Sequence, residues 1–282
     1  YLESYCEQLL SGRVDGQASP DVQLVRPGSV YVNADDGFAQ PAFLKGLTEV
    51  LKIAKKNGIA SMSVGRAHTC TSLGYFTKKI AEAGFLGLGL TNASPIVAPP
   101  GGKSRIIGTN PIAFSVPDGT GGVAMQFDQS TTTVALGEIT MAKAAGKSIP
   151  EGWALDEDGR PTTDPEEALK GTLVSAGGYK GWGFGLMAEI LVSGMTGGRI
   201  SKNVAPLKAR DGKPHNLGQF YIIIDPASGA SFYNRLEELT VLISSEEGTR
   251  MPGQYAVTQT EVDVPDDLWS LAISLSKVNH SE

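Results

Sequence analysis

Little in this sequence can staple a fold or hold a metal. Two cysteines, Cys6 and Cys70, occur in 282 residues. A disulfide framework needs more, and a chain this long can bury a core without one. Neither stands in a CxxC or Cys-His spacing, so both are expected to be reduced, buried thiols of a cytoplasmic protein. The three histidines are His68, His215 and His280, and no two sit four residues apart. A zinc site therefore lacks its ligands, and no metal is expected. No apolar run approaches the roughly 18 residues that a membrane helix needs. Net charge is −6, and nowhere do five or six like charges adjoin. Nucleic acid and membrane are excluded as expected partners, because both call for a basic face or an apolar span.

Common nucleotide signatures are missing too. No GxGxxG follows an expected strand. Gly84-Phe85-Leu86-Gly87-Leu88-Gly89 carries glycines, but at a helix end and inside a strand, where they serve packing. A Rossmann site is not supported. Gly177-Gly178-Tyr179-Lys180-Gly181 lacks the Walker A spacing and its Ser/Thr, and no GxSxG elbow is present.

What the chain has instead is turn chemistry. Its 35 glycines are dispersed, marking tight turns and close backbone approaches. Residues 101–153 join a Gly-Thr-Asn-Pro turn, an Asp-Gln-Ser-Thr-Thr-Thr run and an Ile-Pro-Glu-Gly-Trp corner. Turns this dense, joined to hydroxyls and amides, suit a surface shaped to hold a polar small molecule.

Periodicity supplies the rest. Residues 1–10 have helical spacing with no cap before them and read as the inside of a helix. Residues 22–32 read as two strands turning at Pro27-Gly28. Residues 41–57 form an amphipathic helix stopped by Asn57-Gly58. Strands are expected at 59–64, 86–91, 106–116 (broken at 108–111) and 220–225. Helices are expected at 73–83, 138–146, 165–169, 231–244 and from 264, where Pro and Asp suit a first turn. Residues 153–165 read as a loop. The helix at 182–194 is apolar nearly all round, so it is expected to be buried. The alternation argues an α/β fold.

A few residues could carry chemistry. His68 follows a strand and precedes a helix, beside Thr69, Cys70, Thr71 and Ser72. A lone histidine is more often structural, but three hydroxyls and a helix start would suit a diphosphate. His215 and His280 lie in polar segments and are expected to be solvated. Lys180, between glycines, is either a solvated turn residue or a cation that a ligand can approach. Asp128 can accept from a ribose or from a backbone turn. Glu138 reads first as a helix N-terminal acid, and otherwise as an acid–base partner.

The motifs, taken in order, resemble the malate/L-lactate dehydrogenase family whose nucleotide domain is not a Rossmann fold. They are Gly58-Ile-Ala60, His68, Pro99-Pro-Gly-Gly102, Gly108-Thr-Asn-Pro111, Asp128-Gln-Ser130, Ile149-Pro-Glu-Gly-Trp153, Thr162-Thr-Asp-Pro165, Gly177-Gly-Tyr-Lys-Gly181 and Arg250-Met-Pro-Gly253. The resemblance implies a mixed, largely antiparallel sheet with flanking helices, the L-sulfolactate dehydrogenase-like fold. It implies a substrate and dimerisation part from residues 1–74 with 245–282, and a cofactor-binding part from 75–244.

It also implies NAD or NADP as cofactor and a homodimer. His68, Thr69, Cys70, Thr71 and Ser72 would line the nicotinamide cofactor, with His68 also a catalytic candidate. Asp128, Gln129 and Ser130 would hold the nucleotide. Lys180 and Arg250, Met251, Pro252, Gly253 and Gln254 would close over it. Thr109, Leu136 and Gly137 would face substrate, and Glu138 would support the proton donor. The family's Ser-His-Gly…Arg segment, which supplies the proton-donating histidine and the carboxylate-binding arginine, is expected just before Tyr1. The implied reaction is hydride transfer at C2 of a small acid. The Thr-Cys-Thr-Ser-Leu-Gly-Tyr and Asp-Gln-Ser-Thr-Thr-Thr variants look most like the reductases of Δ1-pyrroline-2-carboxylate and Δ1-piperideine-2-carboxylate. Malate, lactate or ureidoglycolate-type 2-hydroxy acids remain the alternative. A nucleotide-binding homologue without catalysis is the alternative of another class.

Overall fold

The architecture comes from a computed structural model, which describes residues 2–206, 213–254 and 261–276. The first half of the chain runs α1 (Leu2–Leu10), β1 (Asp21–Arg26), β2 (Ser29–Asn33), α2 (Ala39–Asn57), β3 (Ile59–Ala67), α3 (Leu73–Glu82), β4 (Leu86–Thr91), β5 (Ile112–Pro117), β6 (Val123–Gln129) and α4 (Leu136–Ala144). Then come β7 (Ala154–Leu155), β8 (Pro161–Thr162), α5 (Pro165–Lys170), β9 (Thr172–Leu173), α6 (Tyr179–Thr196), β10 (Leu217–Ile224), α7 (Phe232–Ser244) and α8 (Asp266–Ser276).

Seven strands form one sheet in the order β1-β2-β3-β10-β4-β5-β6. Among the described residues only β2 and β3 pair in parallel; the other neighbours in this sheet are antiparallel. The late strand β10 enters the centre, between β3 and β4. Both its edges are hydrogen-bonded and both its faces are covered, which is why its sequence is a continuous apolar run.

Successive β10 residues point to opposite faces. Tyr221 and Ile223 join Phe43, Val50, Ile53, Phe76 and Ile80 of α2 and α3 in the main core. The Phe43 ring lies 4.9 Å from Phe76 and 5.0 Å from Tyr221. Phe220 instead packs with Leu90 and with Ala188 and Val192 of α6. Gly87 and Gly89 sit under α3, where a Cβ would come within 2.9 Å of Ile80 and Thr77. That is the packing role expected for them. A second cluster, around Ile107, Ile139, Ile149 and Leu173, surrounds the small sheet β8-β7-β9.

Three expectations are corrected. Residues 153–165 are not all loop, because β7 and β8 lie there and pair with each other. Cys6 is half-buried, while Cys70 is buried. Helix α6 is not buried all round: Phe184 is 56% and Ile190 61% exposed. Its small residues Gly181, Gly185 and Ala188 face inward and let the helix approach closely. The bulky outer face has no cover from the described residues.

One acidic residue interrupts α6. Glu189 is buried, and its carboxylate accepts from Asn110 Nδ2 at 2.7 Å, from the Ser201 amide at 2.6 Å and from the Ser201 hydroxyl. Asn110 Nδ2 also donates to the Gly185 carbonyl at 3.0 Å. A buried carboxylate is tolerated when donors surround it like this. Replacing Glu189 with Ala leaves the Ser201 amide and one Asn110 donor direction unpaired, at about 1–3 kcal/mol per buried group. We expect Glu189→Ala to lose about 3 kcal/mol in urea unfolding. A loss below about 1 kcal/mol would show that the carboxylate is dispensable.

Candidate functional site

The His68 corner is set by backbone first. The strand β3 ends at Ala67, and the His68 amide donates to the Gly37 carbonyl at 2.9 Å. Just before it, Arg66 adopts φ of 51°. Its guanidinium pairs with Asp36 and, at 3.5 Å, with Asp35. Thus the turn after β2 and the end of β3 are clamped together.

His68 itself is 1% exposed. His215 stacks on it with ring centroids 4.6 Å apart and planes 12° from parallel. Tyr5 and Phe38 meet the His68 ring edge-on at 5.6 and 5.9 Å. Neither His68 nitrogen has a hydrogen-bond partner among the described residues. Burial, helped by the Arg13 charge, pushes His68 down to about 4. Burial, then His68 and Arg13, push His215 to about 3, against the nearby Pro206 carbonyl. Both imidazoles are therefore neutral at pH 7. His215 is not solvated as its polar neighbours suggest, because β10 draws the preceding residues into the centre of the fold. His280 lies outside the described residues.

Past His68 the chain forms a short loop into α3. The Tyr5 hydroxyl donates to the Thr69 carbonyl at 3.2 Å and bonds the Thr71 hydroxyl. Thr71 has φ of 65°, an uncommon conformation for a branched residue. Cys70 points inward, and burial raises its thiol to about 12, so it is not a thiolate nucleophile. Thr71 and Ser72 are exposed.

Asp128 closes that loop. Its Oδ2 accepts from the Gly74 amide at 2.7 Å and from the Ser72 hydroxyl at 3.3 Å. The carboxylate thus sits at the positive end of α3. Next to it, Gln126 Nε2 donates to the Gly74 carbonyl at 2.7 Å, and its amide donates to the Pro252 carbonyl at 3.0 Å. A Cβ on Gly253 would come within 2.9 Å of the Gln126 carbonyl. Met251 is buried and its amide donates to Gln254 Oε1 at 3.0 Å; Arg250, Pro252, Gly253 and Gln254 are exposed. Residues 69–74, 126–128 and 250–254 therefore converge at the end of β6.

The chain then runs directly into a second junction. Gln129 is exposed and Ser130 half-buried. The Thr132 hydroxyl donates to Ser130 Oγ at 2.9 Å. The Thr109 carbonyl accepts from the Thr131 amide at 2.9 Å and its hydroxyl at 3.0 Å. In turn the Thr131 carbonyl accepts from the Ala176 amide at 3.0 Å. Gly181 must lack a side chain here, since a Cβ would lie 2.2 Å from the Ala176 carbonyl. Lys180 is exposed on the first turn of α6, beside Gly177 and Gly178.

Leu136, Gly137 and Glu138 begin α4 and are exposed. Among the described residues no hydrogen bond or ion pair joins Glu138 to the His68 cluster. The sequence reading missed Arg13, Tyr5, His215 and Glu189. One signal was available for Glu189: it is the sole charge between residues 181 and 198, and a lone acid in an apolar helix needs buried partners.

The largely antiparallel sheet with flanking helices defines an α/β fold in which no glycine-rich dinucleotide turn follows a strand. The family model described as malate/L-lactate dehydrogenase matches residues 1–263, and the chain belongs to that family. A (2R)-3-sulfolactate dehydrogenase (NADP(+)) of Chromohalobacter salexigens is 36% identical over 89% of this chain and 75% of its own length. A Δ1-pyrroline-2-carboxylate/Δ1-piperideine-2-carboxylate reductase of Pseudomonas aeruginosa is 38% identical over 87% of this chain and 75% of its own. The crystal structure of the Δ1-piperideine-2-carboxylate reductase of Pseudomonas syringae superposes with a TM-score of 0.83, at 35% identity, covering 89% of this chain and 76% of that one.

The neutral histidine pair makes stability depend on pH. Both groups titrate lower folded than the value of about 6.5 expected unfolded. Between those values the unfolded chain binds more protons, so stability falls as pH falls. Their contribution is complete above about pH 6.5 and declines towards pH 4 and 3. Asp118 and Asp225, both held below 3.8 by backbone amides, lose their contribution only as pH falls below about 4. The urea midpoint should drop between pH 7 and 4.5, and His215→Phe should flatten the drop. A midpoint unchanged over that range would contradict the neutral pair.

Proposed function

We propose that the protein reduces a small cyclic 2-imino acid with a nicotinamide dinucleotide. Δ1-Pyrroline-2-carboxylate and Δ1-piperideine-2-carboxylate are the substrate class. The observation that carries this reading is a pair of polar junctions that adjoin along the chain: residues 69–74, 126–128 and 250–254 meet at the end of β6, with buried His68 leading into them, and residues 109, 131 and 176 meet directly after it. Reductases of this substrate class among the relatives support it.

The residues fit such a cofactor. Exposed Thr71 and Ser72 offer hydroxyls. Gly178 leaves open space where a side chain would stand. Lys180 offers a cation, and Asp128 keeps Oδ1 for a ribose hydroxyl. The two His68 nitrogens are buried and without a partner among the described residues, and would offer a donor and an acceptor to a ligand group that reaches them, a carboxamide or the reacting C=N. Gln129, Ser130 and the loop of Arg250, Met251, Pro252, Gly253 and Gln254 would flank the nucleotide, with Thr69 and Cys70 behind it. Thr109, Leu136 and Gly137 would face the acid, and Glu138 would act through the proton donor.

When bound, the nicotinamide supplies the hydride. The chain's own residues hold the acid's C2 in line and exclude water, which accounts for much of the rate. His68, neutral at pH 7, orients by hydrogen bonding rather than acting as an imidazolium acid. The substrate-side part would comprise residues 1–74 with 245–282, consistent with α1 lying against α8. The cofactor part would comprise 75–244. A cytoplasmic homodimer fits the unpaired cysteines and the bare apolar face of α6. A 2-hydroxy acid dehydrogenase is the second reading, favoured by the sulfolactate dehydrogenase at 36% identity.

A substrate panel decides between them. Pyrroline-2-carboxylate, piperideine-2-carboxylate, pyruvate and oxaloacetate are offered with NADH and with NADPH. The imino acids should show the highest kcat/KM. A preference for the oxo acids would establish the second reading, and cofactor binding without turnover of any acid would establish a non-catalytic homologue.

Lys180→Ala and Asp128→Ala should each weaken cofactor binding about ten- to a hundredfold, as expected for a charge-assisted hydrogen bond. Asp128→Ala should also loosen the start of α3. Calorimetry with unchanged affinity in both variants would remove these residues from the site.

A further inference from the structure

An imidazole rotates about a broad χ2 well. Where a histidine works in a site, a hydrogen bond to its second nitrogen normally fixes the ring plane. His68 has no such bond among the described residues, so packing must set its plane.

We propose that His215 is a positioning residue for His68: its ring, stacked face to face, fixes the plane in which His68 presents its nitrogens. This rests on the role given to His68 above.

The placement of His215 is built into the fold. It precedes β10, whose pairing with β3 shifts register between Leu217 and Gln219. Such a bulge re-aims the residues beside it. Asn216 there adopts φ of 48°, and its carbonyl accepts from the Arg199 amide at 2.9 Å. Gly218 admits no side chain, since a Cβ would lie 2.3 Å from the Thr196 hydroxyl. The Gly218 carbonyl accepts from Thr91 Oγ1 at 2.7 Å. The backbone that carries His215 is thereby fixed on both sides.

The rings then complete a box. His215 lies parallel to His68 on one face, while Tyr5 and Phe38 stand 89° and 85° to it. Turning the His68 ring about χ2 would break the parallel contact and drive an edge into its neighbour. Among the described residues the charges facing this pair are Arg13 and Arg199, with the Pro206 carbonyl as polar neighbour. The side chains of the box come from α1, the residue before α2, the end of β3 and the approach to β10. Rigid support of this kind is what a precisely held site needs.

Two variants separate positioning from simple filling of space. His215→Phe keeps a planar ring, and His215→Leu keeps bulk without a plane. If His215→Leu does not fold, His215→Met takes its place. For each folded protein, 13C relaxation at His68 Cε1 reports ring order, and steady-state rates with the preferred panel acid give kcat and KM.

The ring should stay ordered in the parent and in His215→Phe, with kcat within about threefold. In His215→Leu the ring should become mobile and kcat should fall about tenfold or more, with KM changed less than threefold. Equal ring order and equal kcat in the Phe and Leu variants would overturn the proposal. The relaxation measurement needs neither cofactor nor acid. It therefore tests His215 even if the parent reduces no acid, an outcome that would fault the proposed function instead.

Discussion

A single buried carboxylate governs how the polar surface is arranged. Glu189 accepts from Asn110 and from Ser201, and Asn110 stands in the Gly-Thr-Asn-Pro turn with φ of 35°. With that turn held, the Thr109 carbonyl next door accepts both Thr131 donors, and the Thr131 carbonyl accepts Ala176. Ala176 leads into the glycines before Lys180. A helix that packs on the sheet through Ala188 and Val192 thus fixes, through its one acidic side chain, a loop at its own beginning. Low local dielectric strengthens each of these bonds and makes an unpaired member costly, so the set behaves as a unit.

The strand β10 imposes a comparable constraint from the other side. Its place between β3 and β4 joins residues more than a hundred positions apart. The strand's approach carries His215 onto His68, and the same burial strips both rings of water. Desolvation, with Arg13 close by, disfavours any further positive charge there. Neutrality at His68 is thus a consequence of topology and not of a hydrogen-bonded partner. It favours a role in hydrogen bonding over one in proton donation.

Much of this was legible in the sequence, and the physical reasons differ by feature. Local signals worked well: Asn57-Gly58 ends α2 with Gly58 in a left-handed conformation, and Pro165 starts α5 behind an Asp164 cap. Motif order carried the family. What failed depended on distant packing. The polar neighbours of His215 say nothing about a strand that buries it. The apolar sequence of α6 reads as buried on every side, yet its small residues alone define the inner face. The pairing of Asp128 with the start of α3 was half legible. A turn-accepting carboxylate was one of the two readings, and the amide it accepts from belongs to Gly74, 54 residues earlier.

The composition of the junction bears on substrate choice. Its frame is largely backbone: Thr109, Thr131 and Pro252 carbonyls accept from Thr131, Ala176 and Gln126 amides. Bonds of this kind survive most side-chain replacement, provided glycine stays where backbones touch, as at Gly181. Such a frame suits a family whose members bear the names of sulfolactate dehydrogenase and imino acid reductase. A shared frame fixes where a cofactor and an acid can meet. It leaves the identity of the acid to the few side chains that project from it, so function has to be argued from those side chains and not from the fold.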